Sequence, residues 1–251
     1  MPRFYVPPIT PFVTGERITL PEEESRHASE VLRLDTGAAV TLFDGRGTHC
    51  DGKIHRANRK EVVVNMGSIH HSTPPACRIG VAVAIPKGTM IDGVVQKVTE
   101  LGAAELFPLV TSRTVVRLAF DEGSKKVVKW RRIAIESCKQ CGTDWLPEIH
   151  PPDRYQDALT SVASQYEWIL VAALTPDAAS LRDLIPAFTK RLGRKPTSVL
   201  LVIGPEGDLS PEELDFARSK GAEFMTLGPL VLRVETAVTT ALALAAYEMA
   251  W

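Results

Sequence analysis

Two short stretches of the chain put glycine, proline and charge where they could do chemistry. The first, LLVIGPEGDLS at residues 200–210, runs an uncharged apolar segment into Gly204, Pro205, Glu206 and Gly207. The second, MTLGPLVLRVETA at residues 225–237, passes through Gly228 and Pro229 to Arg233 and Glu235. A fixed arginine can hold an anion that develops on a reacting group, and a nearby carboxylate can take a proton or orient that arginine. The plainer alternative is a salt bridge between Arg233 and Glu235 that ties the loop to the helix after it. In the first loop both common phosphate cradles, G-x-G-x-x-G and G-x-x-x-x-G-K-[ST], are absent, and Glu206 would repel a phosphate. Any ligand held there is not defined by phosphates. The alternative is an ordinary strand-to-helix turn in which Gly204 and Gly207 supply unusual backbone angles.

The elements that must position these loops are legible in outline. SVLLVIG carries no charge, as suits a strand buried on both faces, and Ser210, Pro211 and Glu213 mark the start of a helix as N-cap, first helical residue and capping-box partner. The first loop therefore sits at the carboxyl end of a strand, the edge where open α/β sheets bind ligands. The strand EFMTL leads to the second loop, and a third strand, WILVAAL, ends at Leu174, Thr175 and Pro176. Three such loops on one edge could wall a pocket with backbone amides and aliphatic side chains, a lining suited to a neutral planar ring.

Texture changes near HHSTPPAC at residues 70–77, the expected domain boundary. Before it, VTLFDGRG, THCDGKIHRA and EVVVNMG predict a small antiparallel sheet or barrel, with one helix over PEEESRHASEVLRL. After it, RIGVAVAI, ELFPLVT, WILVAAL, SVLLVIG and EFMTLG alternate with helical stretches such as MIDGVVQKVTELG and VVKWRRIAIESCKQ, the rhythm of a mostly parallel α/β sheet.

A length of 251 residues with 45% hydrophobic content supports a sizeable core. The formal charge of −1 excludes a chain that attracts nucleic acid over its whole surface, leaving only a local basic face. No segment approaches the roughly 18 apolar residues of a membrane span, and MPRFYVPPITP does not read as a signal peptide, so the expectation is a cytoplasmic protein. The four cysteines, Cys50, Cys77, Cys138 and Cys141, read as reduced thiols. CKQC at 138–141 lacks the two further paired ligands a zinc site needs, and it closes a helix where a thioredoxin-like pair would open one. No metal site is expected.

PRFY at 2–5, HASEVLR at 27–33, QKVTELG at 96–102, SR at 112–113, AIESCKQCG at 134–142, IGPEG at 203–207 and LGPLVLRVETA at 227–237 occur in this order. Together they make the chain resemble the SPOUT-class RNA methyltransferases, in particular the 16S rRNA uracil-N3 methyltransferases. The resemblance implies a PUA-like β-barrel over residues 1–72 that helps bind RNA. It also implies an α/β SPOUT domain over residues 73–251 with a trefoil knot that holds S-adenosylmethionine, in a homodimer. Carried over motif by motif, the cofactor loops fall on Leu174 and Thr175, on Ile203, Gly204, Pro205, Glu206 and Gly207, and on Leu227, Gly228, Leu230 and Leu232. The implied reaction moves a methyl group to N3 of a uridine in 16S rRNA of the small ribosomal subunit. Arg233 is then the anion-stabilising residue and Glu235 the base or the partner of Arg233.

Arg3, Tyr5, His27, Arg33, Lys97 and Arg113 are the candidates for RNA contact, each with the alternative of a solvated surface or an ion pair, as for Lys97 beside Glu100. KKVVKWRR at 125–132 carries five basic residues in eight and reads as a solvated helix face or a phosphate track. Thr143 stands where the related chains commonly have arginine, and Asp208 where they usually have a second glycine. A noncatalytic RNA-binding assembly factor is the alternative function.

Overall fold

The computed structural model describes residues 1–9, 11–58, 60–114 and 123–250. The chain divides into two compact units, Met1–Pro74 with Ile135–Leu146, and Pro75–Ala134 with Pro147–Trp251. The segment 135–146, which lies within the 73–251 that the sequence reading gives the second domain, packs with the first compact unit.

The first unit is a five-stranded sheet of β1 (Arg3–Tyr5), β2 (Arg17–Thr19), β3 (Ala39–Phe43), β4 (Thr48–Ala57) and β5 (Val62–His71), ordered β1-β3-β4-β5-β2. Along β4, buried Cys50, Gly52 and Ile54 alternate with exposed Asp51 and Lys53, the period of a strand covered on one face. Phe4, Val40, Leu42, Ile54, Val62 and Val64 meet in its core. The sheet is not wholly antiparallel as expected, because β1 pairs in parallel with β3. The predicted helix is divided, with α1 (Glu22–Arg26) passing into a π-helical turn at His27–Val31.

Tyr5 and Phe43, with ring centroids 5.6 Å apart, cluster with Cys138, Ile135 and Leu146 of the returning segment. Asp144, nearly buried, accepts from Arg3 Nη2 at 2.5 Å, Ser72 Oγ at 2.5 Å and His49 Nδ1 at 2.7 Å. Burial alone would raise this carboxyl's pKa, but the bonds from Ser72, Arg3 and His49 outweigh it and hold the group below its ordinary value.

In the second unit, β6 (Arg78–Ala84), β7 (Glu105–Val110), β8 (Glu148–Ile149), β9 (Asp153–Arg154), β10 (Trp168–Ala172), β11 (Ser198–Ile203) and β12 (Glu223–Met225) form one parallel sheet. Its order is β12-β10-β11-β6-β7-β8, with β9 also paired to β7. The helices are α2 (Met90–Glu100), α3 (Gly123–Cys141), within which the division between the units falls, α4 (Tyr155–Val162), α5 (Leu181–Leu192), α6 (Pro211–Ser219) and α7 (Val234–Ala245). Central β11 is buried from Val199 to Ile203, as its lack of charge requires. Its alternate residues Leu200 and Val202 join a core with Leu159 of α4 and Ala217 of α6, while α7 packs on β6, β11 and α2. No described helix is long and apolar enough to cross a membrane.

The strand order fixes where the loops lie. From β11 the chain passes through α6 to β12, on the far side of β10, so the loops after β11, β10 and β12 emerge side by side at the carboxyl edge.

Because Asp144 ionises more readily in the folded chain, its contribution is present above the ordinary carboxylate range, about pH 4, and is lost as pH falls through and below it. Asp144→Asn, which strands Arg3 in a half-buried site, is expected to cost about 3 kcal/mol at neutral pH. It should also flatten the acid loss of stability between about pH 4 and pH 2. Urea unfolding across that pH range checks both.

Candidate functional site

The three loops enclose a cavity of about 320 Å³ at the carboxyl ends of β10, β11 and β12. That volume is at the lower end of the range for small-molecule sites, roughly 300–1,000 Å³. Leu174 enters from the β10 loop, Ile203, Gly204, Pro205, Glu206 and Gly207 from the β11 loop, and Leu227, Gly228, Leu230 and Leu232 from the β12 loop. These are the sequence-predicted cofactor residues apart from Thr175, which is half-buried and outside the lining. Val231, inside the predicted loop from Leu227 to Leu232, also lines it, and residues not assigned to the cofactor in the sequence reading complete the wall: Ala172, Ala173, Asp208, Val234 and Ala237. Leu174, Leu230 and Val231 are exposed at its rim.

The glycines do not act as the plain-turn alternative requires. Neither Gly204 nor Gly207 takes a left-handed backbone; in this loop that conformation falls to Asp208, at φ 60°. Gly204 is needed for space, since a Cβ there would stand 3.2 Å from both the amide nitrogen and Cγ of Leu209 and 3.4 Å from Asp208 Oδ1. Gly228, at φ 116°, does need the freedom of glycine.

Below the cavity, α6 starts as read: Ser210 is N-cap, Pro211 opens the helix, and Glu213 completes the capping box. Glu213 does more than cap. Its buried carboxylate accepts from Ser210 N at 2.9 Å with one oxygen and from Ser112 N, in the turn after β7, at 2.7 Å with the other. Arg113, the next residue of that turn, donates to the Gly207 carbonyl, so two bonds fasten the β7 turn to the β11 loop. Capping spacing could suggest the bond to Ser210; nothing local in sequence signals Ser112.

Arg233 is the N-cap of α7 and exposed, directly after the lining residue Leu232. Among the described residues its guanidinium has no hydrogen bond or ion pair, and the Arg233–Glu235 salt bridge of the structural alternative is not formed. Glu235 is half-buried in the first turn of α7. Neither side chain lines the cavity.

The RNA candidates fare differently from one another. Arg3 is committed to Asp144 and lies over the Phe43 ring, 5.0 Å from its centroid, and Tyr5 is buried, so neither projects outward as the surface reading assumed. His27 is half-buried, edge-on to Phe4. Arg33 is exposed, unpaired among the described residues, and held at φ 51°. Lys97 pairs with Glu100 at 2.8 Å on an exposed face of α2. Arg113 is the RNA candidate attached to the cavity wall.

In CKQC, Cys138 is buried and Cys141 exposed, and burial pushes the Cys138 thiol up to about 12. Among the described residues, Glu105, Glu148 and His150 could together approach a metal ion. Glu105, however, already accepts from Tyr166 at 2.9 Å and contacts His150 at 3.1 Å and Arg78 at 3.2 Å, at the edge of the sheet opposite the cavity.

A family model for an RNA methyltransferase domain matches residues 73–246, and one for an RNA methyltransferase PUA domain matches residues 20–66. The chain belongs to the RNA methyltransferase family. Its sheet-plus-parallel-α/β arrangement is that of a PUA domain followed by a SPOUT-type methyltransferase domain. Family relatives include the ribosomal RNA small subunit methyltransferases E of Synechocystis, 27% identical over 90% of this chain and 71% of the relative, and of Bacillus subtilis, 27% identical over 90% and 88%. Among solved structures, a Legionella pneumophila methyltransferase in complex with S-adenosylmethionine is 32% identical with a TM-score of 0.88, covering 98% of this chain and 97% of that one. A Neisseria gonorrhoeae ribosomal RNA small subunit methyltransferase E bound to S-adenosylmethionine is 26% identical with a TM-score of 0.86, covering 99% and 98%.

Glu213→Ala would leave the Ser112 and Ser210 amides without their acceptor in a part-buried place and would remove the capping box. A loss of about 2–4 kcal/mol in urea unfolding is expected. Glu213→Gln, which keeps one accepting oxygen, should lose less.

Proposed function

We propose that the chain transfers a methyl group from S-adenosylmethionine to N3 of a specific uridine in 16S rRNA of the small ribosomal subunit. The observation that carries this reading is the cavity itself: an aliphatic, three-loop pocket at a strand-order switch, with no lysine or arginine among the described residues of its lining, beside Arg233, which has no partner among the described residues. Such a pocket suits an adenosine ring held by backbone and aliphatic groups and disfavours a phosphorylated nucleotide. Two similar structures hold S-adenosylmethionine, and relatives of nearly full length are rRNA small subunit methyltransferases. Bound there, S-adenosylmethionine supplies an electrophilic methyl group.

The protein's part is to manage charge and a proton on the base. Uracil N3 carries a proton at neutral pH, and its lone pair is free to attack only as that proton leaves. The negative charge then spreads to the flanking carbonyl oxygens, where Arg233, exposed and without a competing partner among the described residues, stabilises it. Glu235 is the candidate to receive the proton, and because it forms no pair with Arg233, the role of orienting that arginine loses support. Arg113, Arg33, Lys97 and His27 serve RNA binding in this reading, with Arg113 nearest the pocket. Arg3 acts there by holding the first unit together through Asp144.

The path from β11 over β10 to β12 and back into α7 is read as the trefoil knot. The working unit is read as a homodimer, in which the exposed Leu244 of α7 and Tyr247 just beyond it, with the rim residues Leu230 and Val231, meet a second copy. The enzyme acts in the cytoplasm.

Incubation with methyl-labelled S-adenosylmethionine and small ribosomal subunits lacking the modification should label the rRNA, and nucleoside analysis should find 3-methyluridine. Arg233→Ala should lower the rate about 100-fold at unchanged cofactor affinity, the usual loss for a group that holds transition-state charge. Unlabelled RNA overturns the activity; a fully active variant overturns the role of Arg233. For the assembly, Tyr247→Asp should shift the sedimenting species from dimer towards monomer, and an unchanged dimer would count against this interface.

A further inference from the structure

Among the described residues that line the cavity, the charged ones are acidic: Glu206 and Asp208. Of the nearby cations, Arg113 is turned to the Gly207 carbonyl and Arg233 follows the lining residue Leu232, and neither is part of the lining. Glu206 is exposed, so water weakens its field, whereas Asp208 is half-buried against the loop backbone. One carboxylate oxygen of Asp208 accepts from Leu209 N at 2.8 Å, which fixes the side chain on its own turn. The other has no hydrogen-bond partner among the described residues. Asp208 also occupies a left-handed backbone conformation that favours glycine, so here a carboxylate stands in the pocket wall where the turn itself asks for no side chain.

We infer that Asp208 recognises the positive charge of the methyl donor and makes the pocket prefer the charged donor over its spent product. The inference rests on the S-adenosylmethionine reading of the cavity. S-adenosylmethionine carries two cationic centres, the sulfonium and the ammonium, and one carboxylate. S-adenosylhomocysteine, left after methyl transfer, retains the ammonium and the carboxylate but has a neutral sulfur, and 5′-methylthioadenosine has none of the three charges. A fixed carboxylate in a partly desolvated wall attracts these three ligands in that order, while aliphatic contacts with the adenosine treat them alike. The product thereby loses part of its hold on the pocket in the same step that forms it.

The test is calorimetric titration of the full chain and of Asp208→Asn with each of the three ligands. Asparagine tolerates the left-handed conformation, so the substitution removes charge with little change of backbone preference. S-adenosylmethionine affinity should fall about tenfold in the variant, S-adenosylhomocysteine affinity less, and 5′-methylthioadenosine affinity by no more than about twofold. An equal loss for all three, or no loss for S-adenosylmethionine, overturns the inference. Should the variant not fold, salt dependence of the unsubstituted protein serves instead. Affinity for S-adenosylmethionine should weaken with ionic strength more than that for 5′-methylthioadenosine, and parallel salt curves overturn the inference. Failure of the unsubstituted protein to bind any of the three overturns the cofactor reading itself, a different outcome from either.

Discussion

The candidate site depends on the complete burial of β11. A strand covered on both faces can carry no charge, and Val199, Leu200, Leu201, Val202 and Ile203 meet that demand. Once this segment is fixed at the middle of a parallel sheet, with β10 on one side and β6 on the other, the loop after Ile203 has to surface at the carboxyl edge beside the loop after β10. The step to β12 brings in the third loop. The pocket is thus a product of strand order, and its side chains are mostly those left pointing into the gap where the order reverses.

Glu213 converts this placement into a defined geometry. Backbone amides in a turn after one strand and at the head of a helix after another are separate problems of hydrogen-bond satisfaction, and one buried carboxylate answers both. The bond from Arg113 to Gly207 adds a second tie between the same two segments. A residue expected to touch RNA and a loop expected to touch the cofactor therefore share a mechanical connection.

The sequence made the large features plain and the small ones obscure for identifiable reasons. Uncharged β11, the Ser210–Pro211–Glu213 helix start and the three loops after apolar strands are local signals, and the structure bears them out. Strands of two or three residues, such as β1, β2, β8 and β9, are too short to reveal a period. Arg3 and Tyr5 read as surface residues because the groups that cover them, Asp144 and the side chains of Ile135 and Leu146, come from more than a hundred residues away. The same distance hid the second bond of Glu213. In the β11 loop, the sequence reading noted Asp208 in place of a glycine but gave the unusual backbone angles to Gly204 and Gly207, whereas Asp208 holds the left-handed position.

The return of residues 135–146 to the first unit also bears on how the chain emerges from the ribosome. All five strands of that unit are synthesised by His71, yet Asp144, the acceptor for Arg3, His49 and Ser72, follows Ser72 by 72 residues. During that interval the sheet exists without the carboxylate that neutralises Arg3 and without the apolar side chains that cover Tyr5 and Phe43. The contacts of the first unit are therefore complete only once residues 75–134 of the second have been made, although its strands lie within the first third of the chain.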